Sequence, residues 1–288
     1  MIANLTQLIQ AAAQKGPSRF VVVPSATQEG LSCAALVHSQ RLGRCTLIGD
    51  LETQEEQADL STVEHIHEPN PQQALRRAVQ ITKEGQADVL VVDQLPWYQV
   101  LPELQGQRSG PLCGISVLAR SDPERFLLVA DSYVLPAPTL EERIGIVHHA
   151  VDVAHRLGIE LPKVGLVAAA ETVNPKSQFT LDAAQITVMG QRKQIVGALI
   201  DGPLGFDNAV SAHAAEIKGI GGPVAGQADV LITPDVEAGG LLVQTLSAIC
   251  RLTALHVIVG GAAPVVLWQP EQDAQTRLAT VALGVMCT

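Results

Sequence analysis

The chain has 288 residues, 47% hydrophobic, 17% charged and only 3% aromatic, with a formal net charge of -10. So much aliphatic material with so little charge excludes intrinsic disorder and is enough to build one large or two medium cores. The acidic balance and the scarcity of aromatics argue against nucleic-acid binding, which needs a basic face or stacking platforms.

Residues 1–16 predict an amphipathic helix. They lack the basic stretch followed by an apolar run that marks a signal peptide. Short β-branched runs then alternate with longer helical patterns. Strands are predicted over 20–23, 45–48, 88–92, 126–130, 163–167, 195–200, 229–233, 256–259 and 265–268. Most are apolar throughout rather than alternating, as in a parallel sheet covered on both faces by helices. The clearest helix spans 140–157. Ile144, Val147, Val151, Ala154 and Leu157 recur at spacings of three and four, Thr139 can cap its start, and Gly158 follows its end. Strand–helix alternation of this kind defines an α/β fold. The proline-rich joint Leu135-Pro136-Ala137-Pro138 marks a boundary. The predicted organisation is a first domain of residues 1–134 with 263–288, and a second of residues 135–262.

The five cysteines, Cys33, Cys45, Cys113, Cys250 and Cys287, are far apart and form no C-x-x-C pair. They read as free thiols in a reducing compartment, and no apolar stretch is long enough to span a bilayer. The expected location is the cytoplasm, with no membrane and no nucleic-acid partner.

In an open α/β sheet, ligands sit at the carboxyl ends of the strands. The residues that follow the predicted strands are Pro24 and Ser25, Gly49 and Asp50, Asp93, and Asp131 with Ser132. Further along come Glu171, Asn174 and Lys176, then Asp201-Gly202-Pro203-Leu204 with Asp207 and Asn208, then Pro234, Asp235 and Glu237. Each alone is an ordinary turn or cap residue. As a set they describe the wall of a cleft. Gly219-Ile220-Gly221-Gly222-Pro223 precedes a strand instead of following one, and position 224 is valine, so it is not a dinucleotide fingerprint. No phosphate-binding lysine loop, nucleophile elbow or H-E-x-x-H occurs. His148 and His155 share a helix face about 10 Å apart, too far for one metal ion. His65 and His67 share one face of a strand, read as a water-facing edge.

Three stretches carry a wider likeness: residues 153–184, 197–239 and 257–267. Their matching positions are Glu171, Asn174, Pro175, Lys176, Thr180 and Asp182, the Asp201–Leu204 turn, Asp207 and Asn208. Val224-Ala225-Gly226 and Pro234-Asp235 with Glu237-Ala238-Gly239 complete the series, and Arg108-Ser109-Gly110 adds a looser match in the first half. In these residues the chain resembles the phosphate acetyl/butyryl transferase family, most closely its butyryl-type branch. The resemblance implies two α/β/α domains with mostly parallel sheets around an interdomain cleft, of the isocitrate/isopropylmalate dehydrogenase-like kind, as a homodimer. It implies transfer of a short-chain acyl group between coenzyme A and inorganic phosphate, with acyl-CoA and phosphate as substrates and no further cofactor or metal. On this basis Arg108, Asn174, Lys176, Asp201, Asp207, Asn208 and Glu237 are candidate substrate-binding residues, with Lys176 or Arg108 as the anion contact. Asp131 and Asp235 are candidate bases.

The chain also departs from the family pattern. Trp268-Gln269-Pro270 stands where the family carries Thr-Ser-Arg. Gln244 replaces a lysine, Asp93-Gln94 replaces Lys-Gly, Leu135 replaces an asparagine, and Cys113-Gly114-Ile115-Ser116 replaces Leu-Ser-His-Val. Loss of cations makes the expected cleft more acidic. Two alternatives therefore stand beside the transferase: a non-catalytic homologue that binds a small ligand or partner, and a nicotinamide-dependent decarboxylating dehydrogenase. The metal-binding aspartates and cofactor loop of the latter are not recognisable.

Overall fold

The computed structural model describes residues 1–23, 37, 40–50, 63–93, 95–105, 110–121, 124–269 and 272–288. The elements in chain order are α1 (Leu5–Lys15), β1 (Ser18–Val23), β2 (Gly43–Gly49), β3 (Glu64–His67), α2 (Pro71–Lys83), β4 (Val89–Asp93) and α3 (Trp97–Leu104). They continue with β5 (Cys113–Ser121), β6 (Glu124–Ala130), α4 (Leu140–Arg156), β7 (Lys163–Val167), α5 (Gln178–Gln191) and β8 (Leu199–Leu204). The last are α6 (Phe206–Val210), α7 (Ala212–Lys218), β9 (Val230–Ile232), α8 (Val236–Ala248), β10 (Thr253–Val259), β11 (Val265–Trp268) and α9 (Ala274–Met286).

The chain forms two compact units. A flanking unit holds Leu5–Leu112 and Leu255–Thr288, and a middle unit holds Met1–Asn4 and Cys113–Ala254. In the flanking unit the strands run in the order β3-β2-β1-β4-β11-β10. The pairs β1–β2, β1–β4, β2–β3 and β4–β11 are parallel, and β10–β11 is antiparallel. Val21, Val22, Leu90, Val91 and Val266 are wholly buried, as continuously apolar runs require when both sheet faces are covered. β3 closes the sheet at its edge, and both its histidines are exposed, in keeping with a strand facing water.

The middle unit orders its strands β5-β6-β9-β7-β8. β6, β9, β7 and β8 are parallel neighbours, and β5 pairs antiparallel with β6 in a register from Ile115↔Ala130 to Ser121↔Glu124. β5 is absent from the sequence-based list of strands. Gly114, Ser116 and Arg120 interrupt its apolar run, so composition alone does not mark it. The hairpin takes the division between units back to Leu112/Cys113, ahead of the proline-rich joint. The second division falls inside β10, at Ala254/Leu255, rather than at 262/263.

α4 forms as the sequence predicts. Thr139 accepts the Glu142 N–H while the Glu142 carboxylate takes the Thr139 N–H, a complete capping box. Gly158 follows with φ 83°, beyond which Ile2 N–H donates to the Leu157 carbonyl and ties the amino terminus down. The expected strand 195–200 starts four residues later. The α5 end wraps over 192–195 through bonds to Val188, Gly190 and Met189 carbonyls, with Lys193 left-handed. β8 therefore contains the Asp201–Leu204 segment that reads as a turn in sequence, with Gly202–Pro203 cis.

Candidate active site

Four loops of the middle unit leave β6, β7, β8 and β9 at their carboxyl ends, the edge where open α/β sheets bind ligands. The first begins at Asp131. Its peptide bond to Ala130 is cis and its side chain is 1% exposed. Oδ1 accepts the N–H groups of Gly114 (3.1 Å), Tyr133 (2.9 Å) and Val134 (3.0 Å), and Oδ2 accepts that of Leu135 (2.8 Å). Burial pushes the carboxyl up, against these four donors, which pull it down. With both oxygens engaged by backbone donors, this carboxylate shapes the 131–135 loop. Beneath it, Ser116 and Ser132 share a buried hydroxyl–hydroxyl bond of 2.8 Å.

The β9 loop meets the same region. Thr233 Oγ1 donates to the Asp131 carbonyl at 3.0 Å, and Val236 N–H donates to the Leu135 carbonyl at 3.2 Å. A Cβ on Gly239 would lie 2.1 Å from the Asp131 carbonyl oxygen, so only glycine lets α8 approach this closely. Asp235 caps α8 by accepting the Ala238 N–H at 2.8 Å, and Glu237 is exposed in its first turn.

Arg143 of α4 locks this corner from below. Its Nε donates to Asp182 of α5 at 3.0 Å, Nη1 donates to the Pro234 carbonyl, and the guanidinium lies 4.8 Å from the Phe179 ring centroid. Burial lowers its pKa, opposed by Asp182 and then by Asp235 and Glu142. The pair is 8% and 3% exposed, so it is a buried ion pair with its hydrogen bonds made.

The β7 loop carries Glu171, Asn174 and Lys176. Asn174 Oδ1 accepts the Lys176 N–H at 2.9 Å, and Thr180 Oγ1 receives the Asn174 N–H at 2.9 Å. Lys176 is exposed one residue before Ser177, the N-cap of α5, whose side chain makes no capping bond. The cation therefore sits beside a helix start that has no side-chain cap, an arrangement suited to anions.

On the β8 side, Asp207 and Asn208 lie in α6. Lys218, at the end of α7, donates to Glu171 Oε1 at 2.6 Å and to Asp207 Oδ1 at 2.9 Å. Asn208 is fully buried, and its Nδ2 also donates to Glu171 Oε1, at 2.6 Å. Lys218 holds the Glu171 and Asp207 carboxyls below the usual carboxylate range, and Glu171 holds the Lys218 ammonium above its own. Asp201 is separate from this cluster. Burial raises its pKa, Oδ1 accepts the Gly202 N–H at 2.9 Å, and Oδ2 lies 2.9 Å from where a Gly222 Cβ would stand.

The structure thus joins Asp207 and Asn208 through Glu171, which the sequence already places on the cleft wall, and Lys218, which lies outside the candidate set. It seats Asp131 and Asp235 on loops that touch each other. Asn174 and Lys176 share one loop, Asp201 stands by the glycine-rich turn, and Glu237 is on the exposed first turn of α8. Lys218 ends a short alternation of alanines and polar residues, and only its place before Gly219, as the basic residue of a capped helix end, singles it out. Arg108, Pro24, Ser25, Gln94 and Pro270 lie outside the described residues. Among the described residues no group of three or more His, Cys, Asp or Glu side chains is placed to hold a metal ion, and no helix is long and apolar enough to cross a membrane.

A largely parallel α/β sheet with polar loops at the strand ends is the class defined so far. Comparison with known proteins narrows it. Residues 58–285 match the model of the family described as phosphate acetyl/butaryl transferase. A phosphate butyryltransferase of Clostridium acetobutylicum is 32% identical over 99% of this chain and 98% of its own length. A phosphate acetyltransferase of Thermotoga maritima is 38% identical over 75% of each chain. Among solved structures, a branched-chain phosphotransacylase from Enterococcus faecalis has the same fold, with a TM-score of 0.80 at 24% identity over 93% of this chain and 98% of that one. A phosphotransacetylase from Streptococcus pyogenes superposes with a TM-score of 0.81 at 17% identity over 98% of each chain. The chain belongs to the phosphate acetyl/butyryl transferase family.

Proposed function

We propose that the protein transfers a short-chain acyl group between coenzyme A and inorganic phosphate. The observation that carries this reading is the family match over residues 58–285, and the polar loops gathered at one sheet edge of the middle unit support it. In the forward direction a phosphate oxygen attacks the thioester carbonyl, the carbon–sulfur bond breaks, and the products are an acyl phosphate and the free thiol of coenzyme A. The thiol takes up the proton that phosphate gives up. Such a reaction needs two substrates held in line, a group that moves that proton, and donors for the phosphate and oxyanion charge.

Lys176 and the uncapped start of α5 supply a cation and N–H donors for the phosphate. Asn174 holds the Lys176 backbone in place from its side-chain oxygen. Asp235, which caps α8 through one carboxylate oxygen, is the candidate base of the set. Asp131, occupied by four backbone donors, positions the loop that faces the α8 start. The family's relatives are named for acetyl or butyryl groups, which makes a short acyl chain the expected substrate. A cytoplasmic homodimer is part of the same reading.

Butyryl-CoA and phosphate are incubated with the protein, and acyl phosphate is trapped as the hydroxamate. Hydroxamate forms with the wild type. Lys176→Met raises the KM for phosphate about ten-fold, the equivalent of one charge-assisted hydrogen bond. Phosphate affinity unchanged in Lys176→Met would remove this residue from the site.

A further inference from the structure

We propose that Lys218 is a positioning residue for the phosphate subsite, acting as a clamp between the β7 and β8 loops; this rests on the transferase reading above. Lys218 is the last residue of α7, and Gly219 behind it is left-handed with φ 66°, which fixes where the helix stops and where the ammonium emerges. From there the ammonium reaches two carboxylates on two separate loops, Glu171 after β7 at 2.6 Å and Asp207 after β8 at 2.9 Å. Asn208 completes the closure from the interior through its 2.6 Å bond to Glu171 Oε1. Asn208 is itself anchored, because its carbonyl accepts the Gly226 N–H and the next carbonyl, of Ala209, accepts the Ala228 N–H.

The junction tolerates little adjustment. A Cβ on Gly205 would meet Glu171 Oε1 at 2.7 Å, Asp207 Oδ1 at 2.9 Å and Asn208 Nδ2 at 3.1 Å, so the two carboxylates and the amide crowd the space over this glycine. Two carboxylates brought that close repel each other unless a cation lies between them. Without the Lys218 ammonium, the movable partner is Glu171, since Asp207 belongs to a helical turn and also accepts the Asn208 N–H at 2.8 Å. Glu171 stands five residues before Lys176 on one loop. The far end of that loop is fixed to α5 by the Asn174 N–H bond to Thr180 Oγ1, so a freed Glu171 shifts the 171–173 stretch that leads into Asn174 and Lys176 and loosens their placement. The clamp therefore acts on affinity for the anion and leaves the reacting carbonyl untouched, so its loss raises KM with little change in kcat.

The test compares wild type with Lys218→Met, Lys218→Arg and Glu171→Gln in two readouts. One is the KM and kcat for phosphate with butyryl-CoA. The other is equilibrium binding of inorganic phosphate alone, followed by calorimetry. Lys218→Met is expected to weaken phosphate binding and raise its KM about five-fold, with kcat within about two-fold of wild type, as suits the loss of partly exposed ion pairs. Lys218→Arg restores most of the affinity, and Glu171→Gln, which relieves the repulsion, shows a smaller loss than Lys218→Met. A folded Lys218→Met with wild-type phosphate KM and binding overturns the proposal. So does a fall in kcat at constant KM, which would place Lys218 at the chemical step. If Lys218→Met does not fold, equal phosphate affinities of wild type, Lys218→Arg and Glu171→Gln overturn it. Phosphate binding that weakens in Lys218→Met while the wild type turns over no acyl-CoA sinks the transferase reading and leaves the clamp in place. No phosphate binding by the wild type sinks both.

Discussion

His256 is buried in β10, where loss of hydration lowers its pKa to about 4 from the usual 6.5. Between those two values the unfolded chain binds the proton and the folded chain does not, so stability rises with pH across that window and falls as acid is added. The stabilisation is fully present above pH 6.5 and lost by up to about 3 kcal/mol on descending to pH 4. Thermal or urea unfolding followed from pH 7 to pH 4 should show this slope, and His256→Gln should flatten it. An unchanged slope in the variant would assign the acid sensitivity to other groups. The buried cysteines behave in the opposite sense. Burial raises the Cys45 thiol to about 12 and the Cys113 thiol well above its ordinary value, which makes both inert. They pack as small apolar side chains, whereas Cys250 is exposed.

At the scale of elements, Arg143 decides how α4, α5 and the β9–α8 turn meet. It reaches Asp182, Phe179 and Pro234 from the inner face of α4. Removing one member of a buried pair leaves the other charge uncompensated. Asp182→Asn and Arg143→Met should therefore each cost about 3 kcal/mol in urea unfolding. The double variant should cost no more than either single one, and costs that simply add would contradict a direct coupling. The sequence made some elements legible and hid others for identifiable reasons. α4 announces itself because helical periodicity, a capping residue and a terminal glycine all agree. The apolar runs of β1, β4, β6 and β7 are equally plain. β5 is hidden because polar residues share its span, and β8 because Asp201-Gly202-Pro203-Leu204 has the composition of a turn while occupying a strand. The loops that carry the candidate residues follow from the rule that ligands gather at strand ends. Lys218 and Arg143 did not emerge, because their value lies in partners 39 to 91 residues away or across two loops, which no local pattern encodes.

For the whole molecule, the family assignment and the polar sheet edge lead to one activity. By the resemblance read from the sequence, Asp93, Gln244 and Pro270 stand where the family carries cations, so the proposed phosphate contact falls more heavily on Lys176 and on backbone donors. Phosphate dependence is therefore the property these substitutions bear on most directly. The deciding measurement is release of free thiol from acetyl-, propionyl-, butyryl- and isobutyryl-CoA by the purified protein, with and without phosphate. Phosphate-dependent release, greatest with one short acyl chain, is the expected result. Folded protein that releases no thiol from any of the four in the presence of phosphate would contradict it and leave a ligand-binding homologue in its place.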